Sequence, residues 1–96
     1  MIRHLAVDPA LAGFAQYLEL ERGADGIWLV TRQVDDRPDG ARRYGRGAAL
    51  VDEVGMLSDQ PSTDEELADD EDTEAIDAAA FEKRWRAAGA GIRPRS

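Results

Sequence analysis

Between residues 47 and 82 the chain carries thirteen carboxylates and not a single Lys or Arg. A segment this acidic repels itself when compacted and offers few side chains to bury, so it is a poor source of core. Folded ends around a looser acidic middle are therefore expected. The flanks differ in charge: residues 1–46 balance seven acids against seven bases, whereas residues 83–96 hold five bases and no acid, and the whole chain has a net charge of −8. One sign of charge held on one part of a small protein steers oppositely charged partners toward it and repels nucleic acid and anionic membrane.

Ninety-six residues suffice for one modest core and are too few for a second. The expected unit is a single α+β domain over residues 1–88, with the acidic segment 59–77 inside it and a flexible basic tail over 89–96. The chain has no cysteine, which excludes disulfides and thiolate metal sites and fits a reducing compartment. Its start has no apolar run of signal-peptide length, and nowhere do about 18 apolar residues follow one another. A soluble, cytoplasmic protein that does not enter a membrane is the expectation.

The first half of the chain is patterned for strands. Residues 2–7 form a mixed run that Asp8-Pro9 should stop, because proline lacks the ladder donor and restricts the residue before it. After a turn, residues 14–21 alternate, with Phe14, Gln16, Leu18 and Leu20 on one face and Ala15, Tyr17, Glu19 and Glu21 on the other. Asp25-Gly26 is a hairpin signal, and residues 27–35 resume with apolar and β-branched side chains. In that run Trp28, Val30 and Val34 share a parity that Arg32 interrupts; the strand reads as central at its start and more exposed at its end, with its facing left open. Asp39-Gly40 returns the chain into residues 41–45, and residues 49–54 are patterned for one more strand.

Beyond Gly55 the spacing turns helical. Ser62 and Thr63 each precede a glutamate by three positions, the signature of a capped short helix. Asp77 can cap a second helix running to Ala88, with Ala78, Phe81, Trp85 and Ala88 on one stripe and Gly89 as a stop. The expected fold is thus α+β, an antiparallel meander of four or five strands with the C-terminal helix packed on one face and an acidic loop with a short helix between. Phe14, Leu18, Leu20, Trp28, Val30, Phe81 and Trp85 should dominate its core.

This order of elements resembles a family of small bacterial α+β domains of unknown function. The likeness runs through Tyr17-Leu18-Glu19-Leu20, the Asp-Gly turns, Trp28 with Val30 and Arg32, Leu50 to Val54, and Pro61 to Leu67. Ile76, Phe81, Glu82 and Trp85 match the family's closing helix. The chain departs from the family at Thr31-Arg32-Gln33, where Arg-Lys-Val is expected, by an extra residue before Asp39-Gly40, and by a longer insert between Val54 and Pro61. The resemblance implies the α+β architecture and a setting in bacterial conflict systems, and it assigns no catalytic residue.

Catalytic constellations are thin. A Ser-His-Asp arrangement would have to bring His4, the only histidine, to Ser58, Ser62 or Ser96; the simpler reading of His4 is an exposed strand residue. Carboxylate pairs within residues 69–74 lack the aromatic-lined cleft that glycosidase chemistry uses. Asp70, Asp72 and Glu74 have calcium-loop spacing, but Ala75 stands where the loop needs Gly and Phe81 where it needs a bidentate Glu. Neither catalytic residues, nor a metal, nor a cofactor is expected. Arg42, Arg43 and Arg46 around Tyr44 are the one basic cluster of the body, read as a charged edge strand and not as a nucleic-acid groove.

What remains is recognition. Carboxylates spaced along the acidic segment imitate the phosphate ladder that basic surfaces grip, and Glu65, Glu66, Asp69, Asp70, Glu71 and Asp72 are the expected partner-binding residues. The expected partner is a basic protein, a toxin or a nucleic-acid-processing protein, bound by an immunity or antitoxin-like inhibitor or a nucleic-acid mimic. The alternative is an assembly module that forms a homodimer through a sheet edge. Neither binds nucleic acid directly.

Overall fold

The structure, a computed structural model, describes residues 1–45, 50, 55–58 and 61–91. Along the chain lie β1 (Ile2–Val7), α1 (Pro9–Ala12), β2 (Ala15–Arg22), β3 (Trp28–Arg37), β4 (Gly40–Gly45), α2 (Asp64–Asp69), β5 (Thr73–Ala75) and α3 (Ala78–Gly91). All strand pairings are antiparallel, and the order across the sheet is β4-β3-β2-β1-β5. The α+β fold with its C-terminal helix on the sheet is as the patterning predicts. The fifth strand comes from Thr73–Ala75, inside the acidic segment; the strand expected over 49–54 lies outside the described residues except for Leu50, at a bend.

Local chemistry accounts for the connections. Asp8 ends β1 and accepts the Ala10 N–H at 2.9 Å, while Pro9 opens the single turn of α1. At the β2–β3 hairpin the Asp25 carboxylate accepts the Ile27 N–H at 3.1 Å and Gly26 takes a φ of 83°. Asp77 caps α3 by accepting the Ala80 N–H at 2.7 Å. The helix runs to Gly91, beyond the stop expected at Gly89, and of its predicted stripe Phe81, Trp85 and Ala88 are buried while Ala78 is exposed.

One extra residue decides the facing of β3. Glu19 pairs with Arg32 and Leu20 with Val30, so Thr31 is a β-bulge and its hydroxyl donates to the Glu19 side chain at 2.8 Å. Trp28 and Val30 therefore face one side of the sheet, and Arg32 and Val34 face the other. The parity that Arg32 seemed to interrupt is two parities joined at the bulge. Contrary to expectation, β3 is buried toward its end, where Gln33, Val34 and Asp35 are all covered.

The interior is correspondingly split in two, a correction to the single expected core. Leu5, Leu20, Trp28 and Val30 pack with Leu18, Leu57 and Leu67 on one face. Val34, Phe81, Trp85 and Ala88 pack with Tyr17, Ala41 and Ile76 beneath α3 on the other. Phe14 and Leu18 are only half-buried; Phe14 carries the Arg37 guanidinium 4.3 Å from its ring centroid. On the Trp28 face, Gln33 donates to Asp35 at 2.9 Å and to the Met56 carbonyl at 3.1 Å, and accepts the Ser58 N–H at 3.0 Å, which fastens residues 55–58 over the sheet.

The acidic stretch from Pro61 to Asp77 is built into the fold and is not a loose middle. Ser62 and Trp28 exchange backbone hydrogen bonds, Thr63 and Glu66 form a reciprocal capping box on α2, and β5 pairs with β1. Asp64 accepts the buried Trp28 indole N–H at 2.5 Å and lies 3.3 Å from Arg22. That indole, with the guanidinium behind it, holds the Asp64 carboxyl below the usual carboxylate range. No described helix is long and apolar enough to cross a membrane.

Candidate functional site

Two concentrations of charge stand on this frame. The first lies between the sheet and α3. Glu19, 6% exposed, is forked by Arg32, whose Nε and Nη2 donate to the two carboxylate oxygens at 2.9 and 2.5 Å. Arg32 also reaches Glu82 on α3, and its guanidinium sits 5.1 and 4.9 Å from the ring centroids of Phe81 and Trp85. His4 Nε2 is 3.2 Å from Glu19 Oε2, and its ring centroid lies 5.1 Å from that of Phe81. His4 is thus a packed residue on β1, not the exposed one expected.

Arg32, with help from Thr31 and His4, outweighs the cost of burial and holds the Glu19 carboxyl at about 2. The fork with Glu19 raises the Arg32 guanidinium, and the hydrogen bond from Arg32 lowers the Glu82 carboxyl. A carboxylate held that low, with Arg32, Thr31 and His4 against its oxygens, is a weak base at neutral pH, and through Arg32 and Glu82 the cluster joins α3 to the sheet. Ser58 and Ser62 lie with the segment that covers the Trp28 face, away from His4. An open cleft of about 600 Å³ borders the cluster, with Ile2, His4, Ala75, Ile76 and Glu82 among its walls.

The second concentration is the expected one. Glu65, Glu66 and Asp69 lie on α2, Asp70 closes that helix, and Glu71 and Asp72 form the turn into β5; all six are exposed. Glu66 and Asp70 also shape the backbone, accepting the N–H groups of Thr63 and Asp72 at 2.8 and 2.9 Å. Among the described residues none of the six is within ion-pair distance of a Lys, Arg or His. Nor do three His, Asp or Glu side chains of the described residues converge as metal ligands would. Among the described residues these six carboxylates therefore form an uncompensated anionic surface on a segment tied to Trp28 at one end and to β1 at the other.

Among the described residues the basic cluster expected around Tyr44 is split between the two faces of β4, with Arg42 opposite Asp35 and Arg43 opposite Val34. Tyr44 is fully buried beside Gln33, whereas Arg43 lies on the α3 face, donates to the Trp85 carbonyl at 3.2 Å and covers the Trp85 ring. Arg46 is outside the described residues. The Arg32 cluster escaped the sequence reading, although two signals marked it: a lone arginine within an apolar strand, and Glu19 at the matching place on the preceding one. Comparison with protein-family models, with curated proteins and with solved structures finds no match to this chain.

Proposed function

We propose that this protein is a small cytoplasmic, non-enzymatic binding protein that occludes a basic surface of a partner protein, in the manner of an immunity or antitoxin-like inhibitor. One observation carries the reading: six exposed carboxylates, Glu65, Glu66, Asp69, Asp70, Glu71 and Asp72, have no cationic partner among the described residues and sit on a segment whose two ends are anchored to the sheet. An anchored anionic surface presents its charges without first ordering a chain, which raises both encounter rate and selectivity for a cationic partner. With no family match, the reading rests on this charge geometry and not on the resemblance to conflict-system domains.

Capture from the source cell at low and at high salt tests it, with the wild-type chain and a variant amidated at Glu65, Asp69, Glu71 and Asp72 as baits. The expected result is a basic protein held by the wild type at low salt, shed at high salt and not held by the variant. Equal retention by both baits would refute the role of the acidic face.

A further inference from the structure

The geometry points to the rim of β5 as a docking edge for an extended, basic segment of a partner protein. The inference rests on the acidic-face reading above and gives that face a binding mode. β5 is a terminal strand of the sheet. Asp8 N–H donates to the Asp72 carbonyl at 2.7 Å and Ile76 N–H to the His4 carbonyl at 3.0 Å, with Glu74 opposite Ala6 between them. The Asp72 carbonyl, the Ile76 N–H and the backbone of Glu74 between them thus turn toward β1, while the Asp72 N–H is taken by the Asp70 carboxylate. By the alternation of an antiparallel ladder, the N–H and C=O groups of Thr73 and Ala75 point off the sheet. Among the described residues the other terminal strand, β4, has α3 packed across it through Ala41 and Arg43, whereas no strand pairs with β5 on its outer side.

The side chains along that rim specify the occupant. By their register opposite Asp8, Ala6 and His4, residues Asp72, Glu74 and Ile76 share the α3 side of the sheet. Asp72 and Glu74 are exposed and in no ion pair among the described residues, and Ile76 lines the 600 Å³ cleft beside Ile2. An added strand would meet two carboxylates at alternate positions and then an apolar wall. The fitting segment carries Lys or Arg at two alternate positions and an aliphatic side chain at the next. Opposite charges across a strand pair attract, while acidic strands, including a second copy of this one, are repelled.

The test uses the full chain, labelled for amide NMR at low salt, and two synthetic probes. One is an acetylated pentapeptide with Val, Lys and Lys at alternate positions and Thr between them; the other is the same peptide N-methylated at every Thr, which keeps charge and side chains but removes the donors that would face Thr73 and Ala75. The first should slow hydrogen exchange at the Thr73 and Ala75 amides, and the second should bind at least about tenfold more weakly for want of those hydrogen bonds. Equal binding of both probes, with perturbation spread over residues 65–72, would overturn strand docking and leave the acidic-face reading standing. Binding of neither probe would overturn strand docking, with the acidic face then judged by the capture experiment alone. Protection of the same two amides without peptide, with a mass that doubles as concentration rises, would assign the rim to a second copy and overturn the partner.

Discussion

Replacing Glu19 by Gln removes one buried charge and should change how stability depends on pH. The folded protein lowers the Glu19 carboxyl from 4.5 to about 2. At about 1.4 kcal/mol per pKa unit, that displacement corresponds to about 3 kcal/mol. Because Glu19 is almost fully buried, solvent screening takes little from this figure. Between about pH 2 and 4.5 the unfolded chain binds the proton that the folded one refuses, so stability rises with pH across that window. The contribution is complete above the unfolded value and is lost as pH falls through the folded one. Glu82, also lowered by Arg32, is present in both proteins and largely cancels in the difference. Urea unfolding followed by the fluorescence of Trp28 and Trp85 at several pH values measures it. The wild type should exceed Glu19→Gln by about 3 kcal/mol near pH 7, and the gap should close toward pH 2. A gap of the same size at both ends would show that the Arg32 fork is not what holds the charge.

Other consequences are structural. Trp85→Ala removes an aromatic side chain packed on Phe81 and under two guanidinium groups, and should lower stability by about 3 to 5 kcal/mol in the same assay. Gly45→Ala places a Cβ against the Thr31 carbonyl at a φ of 115°; the backbone conformation alone costs about 1 to 3 kcal/mol, and thermal unfolding should show the loss. Thr63→Ala removes the side-chain half of the α2 capping box, worth about 1 kcal/mol. Its effect should appear as faster amide exchange in residues 64–69 before any change in the β2–β3 hairpin.

The strands and caps were legible because their signals are local. Proline after Asp8, the Asp-Gly turns and the Thr63–Glu66 spacing each constrain only a few neighbouring residues, and the structure uses all of them. The Phe81, Trp85 and Ala88 stripe followed from helical period alone. The acidic face was legible as charge, since thirteen carboxylates with no base between residues 47 and 82 leave little choice but solvent. Its attachment was not legible: Thr73-Glu74-Ala75 has no strand signal of its own and becomes β5 because β1 offers it a ladder.

What the sequence by itself determined, then, is the α+β character, the helix and its apolar stripe, and the sign of the exposed surface, all of which depend on residues near one another in the chain. Only the tertiary structure decided that Thr31 bulges, that Arg32 and Val34 turn to the α3 face, and that Glu19, Arg32 and Glu82 meet across two strands and a helix. The physical reason is the period of two in a strand. One extra residue moves every later side chain to the opposite face, and whether that residue is accommodated depends on the partner strand, which no local pattern contains.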